Sequence, residues 1–161
     1  MGPAYAFRMP PLTPSRAILG GGLTVAVLDM AMALGFWGAK GVAPTRILQS
    51  IAAGLLGRDA ALAGGASSAL LGATLHLLIA TTMVATYCVA SRRLRVLVER
   101  PLVCGLLYGV VSWAAMKFVV LPLSAAPPGS PNLVWQAAHF SSHLFLVGVP
   151  SALFARAIRW S

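Results

Sequence analysis

Acidic residues are nearly missing from this chain: Asp29, Asp59 and Glu99 are the only three among 161 residues. No paired catalytic carboxylate, nucleophile elbow or phosphate-binding glycine loop is present, which argues against an enzyme. Gly20, Gly21 and Gly22 fall at the start of an apolar run and read as helix-packing positions. Cysteine is scarce too. Cys88 and Cys104 lie close to one Arg-rich loop, where reduced thiols acting as small hydrophobes are the default and a redox pair across the loop is the alternative. Charge of any sign is low, at 9% of residues against the ~25% of soluble domains, which removes the ordinary soluble class.

Apolar residues make up the balance, at 58%. Four runs, at about residues 17–39, 62–90, 101–123 and 133–155, are each long enough to cross a hydrocarbon core of roughly 30 Å. The first is too long for a typical signal-peptide core, contains Asp29 and ends in Trp37 rather than in small residues, so it reads as a transmembrane helix. Residues 1–15, with Pro3, Pro10, Pro11 and Pro14, read as a flexible tail ahead of a single domain, 16–161. Between the first two runs, Ile47, Leu48, Ile51, Leu55 and Leu56 recur at helical spacing over about residues 45–57. That segment is too short to span, and an interfacial or a re-entrant helix is expected there. The predicted fold is all-α: a four-helix transmembrane bundle with this additional helix.

The net charge of +9 would suggest nucleic acid in a soluble protein. Here the basic residues gather at the ends of the apolar runs, where topology and anionic lipid account for them, and no nucleic-acid partner is expected. Arg8, Arg16, Arg92, Arg93, Arg95, Arg100, Arg156 and Arg159 fall on one side, and only Lys40, Arg46 and Arg58 on the other. The positive-inside rule then places both termini in the cytoplasm of a multi-pass inner-membrane protein, with Trp160 helping to anchor the C-terminal end at an interface.

The informative residues lie inside the runs. Asp29, His76, Lys117, His139 and His143 are all intramembrane, and the chain has no other histidine. Each such group costs about 2.5–3.5 kcal/mol on insertion scales and normally faces a partner or a cavity. Depth counted along the helices brings them into two neighbouring layers, and Gln136, His139, His143 and Pro150 share a face of the fourth run. The stripe Gly105, Gly109, Trp113 and Lys117 suggests a contact face on the third run. Three chemistries follow. The cluster suits binding or transport of a proton, an ion or a small polar ligand. His76, His139, His143 and Asp29 are candidate metal ligands, and His76 with His143 are candidate haem ligands. No metal or cofactor is specifically predicted. The rival is a structural or accessory subunit, in which Asp29 pairs with Lys117, the histidines bond backbone or serine groups, and Lys117 can also snorkel outward. Small-residue stripes permit a homo-oligomer, although packing within the chain uses the same feature.

The run Gly105-Leu106-Leu107-Tyr108-Gly109, the end Val120-Leu121-Pro122-Leu123-Ser124 and the later His143, Gly148 and Pro150 resemble small bacterial inner-membrane proteins of the YagU-like kind. The resemblance covers about residues 101–156 and rests mostly on packing residues. It implies a multi-helix inner-membrane protein and carries over no catalytic residue.

Overall fold

The computed structural model describes residues 12–159, so the proline-rich start of the tail and the Trp160 anchor lie outside the described residues. Among the described residues seven helices follow in order: α1 Pro14–Gly38, α2 Pro44–Leu56, α3 Arg58–Ala63, α4 Gly65–Ser91, α5 Val96–Glu99, α6 Pro101–Leu123 and α7 Leu133–Arg156. Among the described residues α1, α4, α6 and α7 are the four helices long and apolar enough to cross a membrane. Only 17–33% of the most apolar window of each is buried inside the protein, so most of their hydrocarbon surface faces outward. That distribution fits lipid rather than water as the solvent.

Helix boundaries follow local chemistry. Thr13 caps α1 by accepting from the Arg16 amide, and Pro14, Pro44 and Pro101 occupy first turns, where a missing N–H costs nothing. Asn132 caps α7 through the Trp135 amide. The second span starts at Gly65 rather than near Leu62. Gly65 has φ +56°, a conformation that breaks the chain direction and leaves Arg58–Ala63 as a separate short helix.

Two spans carry a wider π turn just ahead of a proline: Met116–Val120 before Pro122, and His143–Gly148 before Pro150. A proline ring would strike the carbonyl four residues back in a regular helix, and the wider turn relieves that conflict without a break. The Ser151 hydroxyl then donates to the Val147 carbonyl at 2.7 Å.

The third and fourth spans meet at backbone distance. A Cβ placed on Gly109 would lie 2.5 Å from the His143 carbonyl oxygen, and one on Gly105 2.9 Å from the Gly148 oxygen. The small-residue face of α6 is thus used within the chain. The tightly packed core lies toward the other end of the bundle from the α1–α2 and α6–α7 connections, around Val25, Val84, Tyr87, Cys88, Val147 and Ala152. Tyr108 donates to the Met83 carbonyl at 2.7 Å and Tyr87 to the Leu97 carbonyl at 3.0 Å. Cys88 and Cys104 are both free thiols. Leu12 and Ile158 form an isolated bridge, which brings both ends of the described chain to the same end of the bundle.

Helix α2, about 20 Å long, lies along the first turns of α4. Gly72 lets the Leu48 carbonyl touch the α4 backbone. Gln49, only 4% exposed, donates to the Gly65 carbonyl at 3.0 Å. The Ala125 amide donates to the Gly54 carbonyl at 2.9 Å, tying α2 to the connection between α6 and α7.

Candidate functional site

Where α2 and the 124–132 connection cover the bundle, α1, α4 and α7 do not close on one another. They leave a cavity of about 600 Å³. Helix α1 presents Val25, Asp29, Ala33 and Trp37 to it, a series four residues apart. Helix α4 presents His76, Ile79, Ala80 and Met83, and α7 presents Trp135, His139, His143 and Val147. Arg46, Ile47 and Ser50 of α2 form one rim, and Ala126–Ser130 the other. At 1.5 Å per residue, Asp29, His76 and His143 lie roughly 14, 17 and 15 Å from the covered ends of their helices, which is one level of the bundle.

Asp29 and Ser142 are joined by a hydrogen bond in which the serine hydroxyl donates to Oδ1. His76 Nε2 lies 3.0 Å from the Ala26 carbonyl and 4.0 Å from Asp29 Oδ2. A carbonyl only accepts, so Nε2 of His76 carries the proton. His143 Nδ1 lies 3.0 Å from the His139 carbonyl, which by the same reasoning makes Nδ1 the donor and leaves Nε2 with a lone pair in the neutral ring. His143 is 3% exposed, whereas the Asp29 and His76 side chains are each 17% exposed.

The wall above this floor is aromatic. Trp37 and Trp135 have ring centroids 5.2 Å apart, and Phe36 packs against Trp135 at 5.1 Å. Trp135 stacks on His139 at 5.5 Å with an interplanar angle of 20°, and His139 meets His143 edge-on at 4.5 Å.

Of the six sequence-predicted site residues, Asp29, His76, His139 and His143 line one cavity; Lys117 and Gln136 do not. Lys117 Nζ donates to Gln136 Oε1 at 3.1 Å and sits 4.8 Å from the centroid of Trp113. Gln136 Nε2 donates to the Ser130 carbonyl at 3.3 Å, so this pair braces the connection that borders the cavity. The Asp29–Lys117 ion pair of the structural reading is replaced by Asp29–Ser142 and Lys117–Gln136. Among the described residues no group of three or more His, Cys, Asp or Glu side chains converges closely enough to hold a metal ion. As placed, His76 Nε2 is committed to the Ala26 carbonyl.

Sequence reasoning passed over Arg46 as a site residue and counted it only among the basic residues of the less positive side. The signal available was its spacing of four from Ser50, since both lie on the edge of α2 that borders the cavity. Comparisons with protein-family profiles, with curated proteins and with solved structures each return no match.

Proposed function

We propose that this chain is a multi-pass protein of the bacterial inner membrane, with both termini cytoplasmic, that binds a small amphipathic ligand in the cavity between α1, α4 and α7. The observation that carries the reading is about 600 Å³ of space floored by Asp29, His76 and His143 and walled by Trp37 and Trp135. Ligand sites are typically apolar concavities of this size with a few convergent polar groups. A proton or a bare ion needs no such room, so the volume favours a molecule. The orientation rests on eight basic residues at one end against three at the other.

The helix-orienting reading has one observation in its favour: among the described residues no buried side-chain nitrogen or oxygen lacks a hydrogen-bond partner. It gives no reason for the space beside those groups.

The test is chemical analysis of the purified protein beside Ala33→Trp, which places an indole inside the cavity. Organic extracts of the wild type are expected to contain a small molecule that the filled variant loses. Identical extracts, together with unchanged growth of the host across pH and salt in Asp29→Asn, His76→Gln and His143→Gln strains, would refute the reading.

A further inference from the structure

The floor of the cavity has a hydrogen-bonding polarity. Asp29 as a carboxylate only accepts; the neutral Ser142 hydroxyl donates to its Oδ1, while His76 Nε2 stands 4.0 Å from Oδ2, beyond hydrogen-bond reach. His143 has spent Nδ1–H on the His139 carbonyl and presents Nε2 as an acceptor when neutral. His76 has likewise turned Nε2–H to the Ala26 carbonyl. The Ser142 hydroxyl proton is already used on Asp29. Lys117, the intramembrane cation that could have neutralised Asp29, is held by Gln136 and Trp113 outside the cavity. Arg46 is exposed on α2, at the rim.

A half-buried carboxylate is best stabilised by a cation or several donors, and among the described residues the protein hydrogen-bonds one hydroxyl to it, with the His139 imidazole on the same lining. The missing donors must come from whatever fills the space. Trp37 and Trp135 stand eight residues, about 12 Å, above this floor, and their rings offer an apolar wall to the body of a guest.

From this arrangement we infer that the ligand is an organic ammonium compound, a protonated primary or secondary amine on an apolar, aromatic-sized body, with its N–H groups directed at Asp29 and the open nitrogen of His143. This inference rests on the cavity being a ligand site and adds the chemistry of the ligand. Anionic amphiphiles are disfavoured at the floor by the carboxylate, and ketone- or ether-headed ones bring that carboxylate no donor beyond the Ser142 hydroxyl. The rival is a protonated His76 serving as the resident counter-ion of Asp29, in which case an uncharged ligand would do as well as a cation.

The experiment is calorimetric titration of the full chain in lipid nanodiscs, with empty nanodiscs subtracted, using three probes that share one body: 4-phenylbutylamine, 4-phenylbutyl methyl ether and 4-phenylbutyrate. The amine is expected to bind at least about tenfold more tightly than the ether, the step given by one charge-assisted hydrogen-bonded pair, and the butyrate most weakly. Asp29→Asn should bring the amine-to-ether ratio close to one, and Ala33→Trp should abolish binding of all three. An ether that matches the amine on the wild type, or an amine preference that survives in Asp29→Asn, overturns the ammonium assignment while leaving the cavity a ligand site. Binding of all three that is indifferent to Ala33→Trp, or no binding of any, overturns both. The comparison of probes on the wild type stands even if Asp29→Asn does not fold.

Discussion

Gly148→Ala is the substitution whose consequence the geometry fixes most sharply. The added methyl would collide with the Gly105 carbonyl oxygen and sit 2.8 Å from the Gly109 amide nitrogen and 3.0 Å from the Gly105 carbonyl carbon. All three are backbone atoms in the middle of a helix, so no rotamer change gives way and α6 and α7 must separate. Restoring ordinary contact takes a gap of more than about 1 Å, which forfeits at least roughly half of each dispersion contact. With about 0.15 kcal/mol per atom pair over roughly forty pairs, the loss is about 3 kcal/mol or more. Lipid offers no hydrophobic compensation for helix separation, so the loss appears undiluted in stability. Gly35→Ala is the internal control: a Cβ there meets nothing within 4 Å, and exchanging glycine for alanine in a helix gains about 0.5–1 kcal/mol. One chemical change thus has opposite signs at two positions of the same protein. Reversible unfolding in mixed micelles, followed by helical circular dichroism, measures both. Equal stability of Gly148→Ala and the wild type, or a loss at Gly35→Ala as large as at Gly148→Ala, would refute the reasoning.

Two further outcomes are expected. Gly57 has open space around it but φ +79°, so Gly57→Ala should cost about 1–3 kcal/mol through backbone strain alone, whereas Gly38→Ala, with the same open space and ordinary helical backbone, should cost nothing in the same unfolding assay. Lys117→Met removes the ammonium but keeps the stem; stability should change by no more than about 1 kcal/mol and the amine-to-ether binding ratio by less than about twofold, and a larger drop in that ratio would place Lys117 in the site after all.

The spans were legible because bilayer thickness and helix-starting prolines such as Pro44 and Pro101 are written in the sequence; Pro14, read as part of the tail, instead opens α1 behind the Thr13 cap. The break at Gly65 was not legible, since nothing local separates a glycine in a helix from one at φ +56°. The grouping of Asp29, His76 and His143 followed from depth alone, as their helices begin and end at matching levels. Lys117 was misplaced for a geometric reason. A stripe of residues four apart drifts about 40° per step round a helix of 3.6 residues per turn, so from Gly105 to Lys117 the drift reaches about 120°. Gly105 and Gly109 face α7, while Lys117 has rotated away from the cavity to a half-buried position near Gln136. The rim supplied by Arg46 and Ala126–Ser130 depends on how α2 docks on α4 through Gly72, a tertiary contact with no periodic trace.

The lining of the cavity is divided between two portions of the polypeptide that meet across it: α1, α2 and α4 on one side, α6, its connection and α7 on the other. Neither portion encloses the space alone. A guest lodged there would therefore act as a rivet, and by mass action a concentration one hundred times its dissociation constant would add about 2.7 kcal/mol to the union of the two portions. Occupancy and assembly become a single equilibrium, so a cell short of the guest would hold more of the protein in its unassembled, protease-sensitive form.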